Sequence, residues 1–270
     1  NSSLGLKAQG FPADFIKLGG YEMKKLRHLI TLGFFASLFS ISNLAEAHYL
    51  WIETSQPKGN DTSPKIEVYY GEFDESLREV AGGRLDEVGD IQAQVISPDK
   101  SQSEIKLEKK DNHFGGLLSK NLPSGYSIIQ VQELGRTVKD WTKHNIGVVK
   151  PNFYASAYVG DSTENLSASQ SKTTLGIYPI QLGKEIVLKV FFKDEALPNA
   201  KVNIHAPNTW SKELKTDASG MVRFKSLWPG QHVAEVIYLE KTSGEFKGLP
   251  YEAIRHRATF AWNIKEGCQK

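Results

Sequence analysis

The residue with the most chemical promise is His48, which follows a stretch with the layout of a secretory signal peptide. A basic segment, Met23–His28, precedes an apolar run from Leu29 to Leu44, and the small-x-small sequence Ala45-Glu46-Ala47 supplies a cleavage site. If the cut follows Ala47, the mature chain begins with His48. An N-terminal histidine carries an α-amine and an imidazole on one residue, and together they can chelate a transition metal. His48 is therefore the principal candidate ligand; the alternative is that cleavage leaves a histidine first by accident.

Three of the other histidines are assigned structural or surface positions from strand alternation or from their neighbours in sequence. His205 alternates with Val202 and Ile204, which predicts a solvent-facing side chain. His232 occupies a position at the start of a strand where an aromatic ring usually packs, and a structural role is favoured. His113 directly follows the turn residues Asp111-Asn112, which indicates an exposed loop.

Two more histidines are open to a functional reading. His144 lies in a polar segment and could reach a site, although its spacing does not demand it. His256 alternates with apolar residues along the last predicted strand, and a histidine on such a face is more often a hydrogen-bonded core residue than a ligand. An oxygen ligand could come from the acidic run that contains Glu72 and Asp74, although acidic runs are usually solvated faces.

The leader and the single cysteine predict where the protein is found. Residues 1–22 precede the signal peptide and are interpreted as a non-native or mis-started leader, and 23–47 as the signal peptide itself. The apolar run is shorter than the roughly 20 residues of a membrane span, so we expect an exported protein that is not an integral membrane protein. Cys268 is the only cysteine, and an exported chain without disulfides is typical of the periplasm of a Gram-negative bacterium.

Composition excludes several functions. The chain is 40% hydrophobic and 24% charged, which is typical of a globular protein, and its net charge of +2 argues against nucleic acid as a partner. There is no Gly-x-Ser-x-Gly nucleophile elbow, no phosphate-binding glycine loop before a helix and no His-Glu-x-x-His motif. These absences favour a binding protein over an enzyme.

Short alternating segments separated by Gly, Pro, Asn and Asp predict an all-β fold of two Ig-like or transthyretin-like sandwiches. We expect an N-terminal sandwich over 48–160, a Ser-rich linker over 161–175 and a C-terminal sandwich over 176–264. The segment Glu75–Val88 is predicted as a short helix or an ordered loop, because Gly82-Gly83 interrupts it. The predicted strands are Tyr49–Glu53, Lys65–Tyr70, Ile91–Ser97, Ser103–Lys109, His113–Leu118, Gly125–Glu133, Val148–Tyr158, Glu185–Phe192, Ala200–His205, Glu213–Thr216, Val222–Phe224, His232–Leu239 and Ala253–Ile264.

Two resemblances sharpen these expectations. The stretch LPNAKVNIHAP…TDASGMVRFKSLWPGQHVAEV resembles carboxypeptidase-regulatory or transthyretin-like sandwiches. Together with the opening AHYLWIE and the late RHRAT, the chain from about 48 to 262 is similar to bacterial periplasmic proteins that carry a domain of unknown function, often labelled nickel/cobalt-transport periplasmic components. The Ser-rich linker lacks the His-rich loops of some metal-scavenging proteins, which argues against a high metal capacity.

That second resemblance implies metal handling and makes His256 the best partner for His48. We therefore expect a non-enzymatic periplasmic protein that binds nickel, cobalt or copper, or a small chelate of one of them, through His48, His256, His144 and Glu72. It would partner a membrane transporter or an outer-membrane receptor. One alternative is a copper oxidative enzyme built on a histidine brace, and another is a structural or interaction sandwich that binds no metal.

Overall fold

A computed structural model of the chain describes residues 48–55, 63–119, 126–160, 173–225 and 228–264. They belong to one compact unit that extends from Ala47 to Lys270. The predicted leader and signal peptide, most of the predicted linker and Cys268 lie outside the described residues.

The described residues are almost entirely β-structure, which confirms the predicted all-β class. The strands before the predicted linker are β1 Tyr49–Ser55, β2 Lys65–Glu72, β3 Leu77–Arg78, β4 Ile91–Ile96, β5 Gln102–Glu104, β6 Glu108–Lys109, β7 Phe114–Leu117, β8 Tyr126–Glu133, β9 Lys139–Trp141 and β10 Gly147–Gly160. Those after it are β11 Leu175–Leu182, β12 Ile186–Phe192, β13 Glu195–Ala196, β14 Lys201–His205, β15 Ser211–Lys215, β16 Met221–Phe224, β17 Gly230–Glu240, β18 Gly244–Phe246, β19 Leu249–Tyr251 and β20 Ala253–Ile264.

The only helical segments in this part of the chain are two 3₁₀ turns, Arg84–Glu87 and Thr142–His144. No helix in the described ranges has the length and apolar character needed to cross a membrane.

A nine-stranded sheet holds strands from both predicted domains, and we call it the shared sheet. Its order is β15-β14-β17-β20-β10-β8-β4-β5, with β9 also paired to β10. At its centre β10 and β20 run parallel, from the pair Val149–Ala253 to the pair Ala157–Ala261. The predicted boundary at 161–175 therefore does not divide the sheets, because strands from both sides of it are hydrogen-bonded neighbours.

Each face of the shared sheet builds its own core. On β10, Phe153, Ala155 and Ala157 pack with the five-stranded sheet β1-β2-β7-β6, to which β3 is added. Tyr154 faces the other way and packs with the four-stranded sheet β11-β12-β13, to which β16 is added. Because successive side chains of a strand point to opposite faces, one central strand serves two sandwiches. The molecule thus has three layers, with the shared sheet in the middle.

The segment Glu75–Val88 contains no α-helix, which resolves its prediction in favour of an ordered loop. The chain first returns along β2 as the short strand β3 and then makes the 3₁₀ turn Arg84–Glu87. Gly82 between them has a φ of +79°, a left-handed conformation that an α-helix cannot contain. This loop matters because it brings two charged side chains to the start of β1.

The edge strand β1 is fixed by side chains of β20. Arg257 Nη1 donates to the carbonyl of His48 over 3.0 Å, and Thr259 Oγ1 donates to the carbonyl of Leu50 over 2.6 Å. An edge strand otherwise leaves its backbone groups without partners. The first described residue is therefore held by the last long strand of the chain.

Candidate functional site

His48 lies between the five-stranded sheet and the shared sheet, immediately before β1. The register that pairs Tyr49 with Gly71 places Glu72, the last residue of β2, beside it. His48 Nδ1 is 3.0 Å from Glu72 Oε1, and both residues are about 4% exposed. Two of the predicted site residues, His48 and Glu72, are therefore brought together.

A second carboxylate fixes the His48 ring from its other nitrogen. Nε2 of His48 is hydrogen-bonded to Glu79 Oε1, a carboxylate oxygen that can accept from an imidazole N–H. Glu79 is within reach because Gly71 lets β3 approach β2 closely: a Cβ there would lie 2.2 Å from the carbonyl oxygen of Leu77. Each ring nitrogen of His48 thus faces a carboxylate, Glu79 at Nε2 and Glu72 at Nδ1.

The Glu72 carboxylate is only partly satisfied. Its Oε1 is buried and forms no hydrogen bond with any described residue, even though His48 Nδ1 is 3.0 Å away. Burial raises the pKa of Glu72, and the neighbouring His48 opposes that shift. A buried carboxylate oxygen without a donor is unfavourable unless a cation or a proton reaches it.

One cation already lies against the ring. Arg84, on the 3₁₀ turn, places Nη1 3.5 Å from Nδ1 and 3.3 Å from Nε2 of His48. The Tyr70 ring packs at 5.4 Å between centroids, tilted by 54°. The His48 ring is therefore enclosed by two carboxylates, a guanidinium and a phenol ring.

Behind His48 lies a buried ion pair. Arg257, which donates to the His48 carbonyl, also donates through Nε to Glu235 Oε1 over 2.6 Å. Burial alone would raise the pKa of Glu235, but Arg257 and His205 outweigh it and lower that pKa to about 2. Glu235 is therefore ionised at neutral pH and holds Arg257 in position.

The prediction that His205 faces solvent is wrong, because only 6% of the residue is exposed. Its Nδ1 lies 3.7 Å from Asp74 Oδ2 and its Nε2 lies 3.6 Å from Glu235 Oε2, and neither nitrogen makes a hydrogen bond. Alternation correctly places His205 on the face of β14 opposite to Val202 and Ile204. That face is not open to solvent, because the five-stranded sheet covers it at His205. Asp74, the other acidic candidate, thus lies beside His205.

The structure does not bring His256 to His48. Arg257 contacts His48 from one face of the shared sheet, so its neighbour His256 points to the other face. There His256 Nδ1 is 3.0 Å from the Tyr154 hydroxyl and Nε2 is 2.9 Å from Glu240 Oε2. Burial lowers the pKa of His256, and Glu240 opposes that change. His256 is a hydrogen-bonded core histidine, and its pairing with His48 must be corrected.

His144 is also placed away from His48. His144 ends the 3₁₀ turn that precedes β10. His48 lies near the middle of β10 instead, because Arg257, which bonds the His48 carbonyl, is the register partner of Phe153. From Gly147, where β10 begins, to Phe153 the strand advances about 20 Å at roughly 3.3 Å per residue. His144 is therefore not a ligand of an ion held by His48.

The two remaining histidines have structural positions. His232 is buried and stacks on Trp262 with ring centroids 5.3 Å apart, as its predicted structural role requires. His113 lies in the turn before β7, partly buried, and pairs with the side chain of Asn112 over 2.9 Å.

Sequence reasoning missed most of the surroundings of His48: Glu79, Arg84, Glu235 and Arg257. Alternation along β20 places Arg257 on the opposite face from His256. An arginine on a strand face that packs against another sheet indicates a polar or acidic partner there, and Glu235 is that partner. Glu79 and Arg84 lie on an irregular loop, where no periodicity exists to locate them.

The described residues contain no group of three or more His, Cys, Asp and Glu side chains arranged to hold a metal ion. His48 and Glu72 offer two donors, Nδ1 and Oε1, at 3.0 Å from each other. Any ion bound between them needs further donors from outside this set of side chains.

Comparisons with known structures show only weak likeness. One match is the BSP domain of a biofilm-associated protein, with a TM-score of 0.21 and 10% identity, covering 82% of this chain and 30% of that one. Another is the D0–D1 domain of intimin, with a TM-score of 0.21 and 11% identity, covering 80% of this chain and 97% of that one. The chain thus spans about a third of the first of these structures, and likeness at this level carries no argument about function.

Comparisons of sequence are more informative about family than about activity. No curated protein matches the chain. A family model described as a domain of unknown function, DUF4198, matches residues 45–240, which is more than half of the chain and includes His48, Glu72 and Glu79. The chain belongs to this family of proteins with a domain of unknown function, DUF4198.

Proposed function

We propose that the protein is an exported binder of a late first-row metal ion, nickel, cobalt or copper, with His48 as the principal ligand and Glu72 as an oxygen ligand. The observation that carries the proposal is the buried Glu72 Oε1, which accepts no hydrogen bond from any described residue and lies 3.0 Å from Nδ1 of His48. Cleavage after Ala47 would add the α-amine of His48 as the third donor. The bound ion would supply Lewis acidity and charge.

The spacing of the two side-chain donors fits a shared ion. Nitrogen and oxygen ligands lie about 2.0–2.2 Å from such metals, so two donors at right angles around one ion are about 3 Å apart. The observed separation of Nδ1 and Oε1 is 3.0 Å. Glu79 on Nε2 corresponds to the outer carboxylate that commonly orients a metal-binding histidine and raises its basicity.

Arg84 works against this function in the arrangement described. Its guanidinium is 3.5 Å from Nδ1 and competes with a metal cation for the same electron pair. Binding an ion therefore requires the Arg84 side chain, which the 3₁₀ turn presents from outside the cores, to move aside.

The burial of His48 favours a binder over an oxidative enzyme. A copper enzyme with a histidine brace needs an open coordination position beside a substrate surface, whereas His48 is 4% exposed and covered by Tyr70 and Arg84. In this proposal the protein is non-enzymatic and periplasmic, and passes its metal ion or chelate to or from a membrane transporter or an outer-membrane receptor. A purely structural module remains the alternative.

The decisive experiment compares a chain that begins at His48 with one that carries a single extra Gly before it. We expect one equivalent of Ni(II) or Cu(II) to bind the first chain in calorimetric titration, and at least about tenfold weaker binding to the second, since a tenfold loss corresponds to about 1.4 kcal/mol. Glu72→Gln should weaken binding, and His144→Ala is the matched control that should not.

Equal affinities of the two chains would remove the α-amine from the proposal. Peroxide formation by the copper-loaded protein with a reductant and oxygen would support the oxidative enzyme instead. If the metals bind at no tested micromolar concentration and give no increase in thermal stability, the structural module is the better account.

A further inference from the structure

The shared sheet is wider than the layer that covers one of its faces. The four-stranded sheet packs on β10, β14, β17 and β20, and none of the residues of its core comes from β4, β5 or β8. Among the described residues, β4, β5 and β8 form the floor of a cavity of about 470 Å³ beside this layer. This volume lies within the range of about 300–1,000 Å³ that is typical of small-molecule sites.

Primary amides dominate the lining of this cavity. Five glutamines line it: Gln92, Gln94, Gln102, Gln130 and Gln132. Four of them, Gln92, Gln94, Gln130 and Gln132, lie on the same face of the paired strands β4 and β8. Glu104 is the one charged side chain among the lining residues. The cavity is therefore polar but almost uncharged.

Hydrogen bonds fix the orientation of these amides. Gln94 Nε2 donates to Gln130 Oε1 over 3.1 Å, and Gln132 Nε2 donates to Gln92 Oε1 over 2.9 Å, so each directly opposed cross-strand pair is joined. Gln130, 2% exposed, also donates to the Tyr178 hydroxyl of the covering sheet over 3.2 Å. The floor of the cavity is thereby tied to its wall.

These bonds leave groups that can bind a ligand. A primary amide has two donors and an acceptor with two lone pairs, and each cross-strand bond occupies only one of them. The unused groups of Gln92, Gln94 and Gln132 thus form a preorganised row of neutral donors and acceptors. Such a row complements groups that both donate and accept without charge, and the hydroxyls of sugars have that property.

We propose that this cavity binds a neutral oligosaccharide of two to three sugar units. An anion would meet no cation among the lining side chains, and an apolar ligand would leave the amides without partners, which costs free energy. A peptide strand would add to the edge of the sheet, which β5 forms among the described strands, and not to the face of the sheet. The site is separate from His48, because these glutamines face away from the five-stranded sheet.

The test uses the full chain and three neutral trisaccharides as probes: maltotriose, cellotriose and chitotriose. We expect at least one to shift the side-chain amide signals of glutamine in two-dimensional NMR spectra, with an affinity of about 1 mM. The double variant Gln92→Ala, Gln132→Ala removes one of the two cross-strand pairs and should weaken binding at least about tenfold. Gln181→Ala changes a partly buried glutamine of β11 outside the cavity and should bind as the wild type does.

Gln92 is exposed and Gln132 is half-buried, so we expect the double variant to fold, and an unchanged thermal midpoint will verify this. Three results would overturn the proposal: no shift with any probe at about 10 mM, equal binding by the double variant and the wild type, or shifts confined to the exposed Trp210 and its neighbour Trp228. Persistence of binding in the presence of EDTA would support a site independent of metal.

Discussion

At the scale of single residues, the feature that distinguishes this protein is a buried imidazole enclosed by opposite charges. His48 contacts Glu72, Glu79 and Arg84, while its carbonyl is held by Arg257. Each contact has a separate role: Glu79 orients the ring through Nε2, Glu72 offers an oxygen ligand beside Nδ1, and Arg84 places a positive charge next to the ring. Substitutions can therefore separate the roles.

Replacing Arg84 by Gln should strengthen metal binding. The substitution removes a positive charge 3.5 Å from Nδ1, and we expect the affinity for Ni(II) to rise by about three- to tenfold, since close charge pairs are commonly worth about 1 kcal/mol at a partly exposed site. Calorimetric titration measures this change. Arg223→Gln, on β16, is the control; weaker binding by the Arg84 variant would show that the guanidinium supports the site.

Replacing Glu235 by Gln should destabilise the fold. The change leaves Arg257 buried with a neutral partner, and the cost of breaking such a pair is about 3–5 kcal/mol. Urea unfolding at pH 7 measures the loss, and Glu213→Gln on the exposed strand β15 should cost much less.

The same residue gives the stability a predictable pH dependence. The pKa of Glu235 is about 2 in the folded protein against an ordinary value of 4.5, so its ionised form stabilises the fold by about 3 kcal/mol above pH 4.5. That contribution falls as the pH drops from 4.5 towards 2. The difference in unfolding free energy between the wild type and Glu235→Gln should therefore shrink over this interval; a constant difference would contradict the shifted pKa.

Part of the site could be predicted from sequence. The position of His48 after a cleavage motif and the nearby acidic Glu72 were both visible, and the structure brings them together. The alternation of β20 correctly placed His256 among apolar residues. What alternation cannot give is which sheet covers which face, because that depends on the pairing of β10 with β20, about a hundred residues apart. His205 and His256 were both misjudged for this reason.

At the scale of elements, the loop after β2 decides whether the site is assembled. Its strand β3 pairs with the end of β2, where Gly71 is opposite Arg78. Gly71 has a φ of +150° and leaves no room for a side chain against the carbonyl of Leu77. The loop contributes Glu79, which directly follows β3, and Arg84, which begins the 3₁₀ turn Arg84–Glu87.

Replacing Gly71 by Ala should disturb the site and lower the stability. The new Cβ would lie 2.2 Å from Leu77 O, so β3 has to move, and we expect a loss of about 2–3 kcal/mol together with weaker metal binding. Gly82→Ala is the control, because Gly82 also has a positive φ but no atom within 4 Å of the new Cβ. It should cost about 1 kcal/mol and leave metal binding intact.

Element prediction failed where local signals conflict with tertiary pairing. The predicted strands do not include β11, which contains Pro179; the register shift between Pro179 and Gln181 accommodates the proline in the paired strand. The single strand predicted over Ser103–Lys109 is two short strands in different sheets, β5 and β6. Apolar patterning does not show where a chain leaves one sheet for another.

At the scale of the whole molecule, two sandwiches share one sheet. The fragment 176–264 contains all of β20 but lacks β10, its parallel neighbour in the sheet centre. We expect the isolated fragment to be unfolded or aggregated, since it exposes a long strand edge and one whole face of the sheet. Circular dichroism and sedimentation of the fragment beside the chain 48–264 test this. A monomeric, cooperatively folding fragment would show that the C-terminal sandwich is independent.

The bonds from Arg257 and Thr259 to the carbonyls of His48 and Leu50 join residues 209 positions apart. A chain that stops before β20 lacks both bonds, so that β1 is held in its sheet by pairing with β2 alone. Occupancy of His48 by a ligand would then report that synthesis has reached the last strand, and loading would be among the latest events in the protein's maturation.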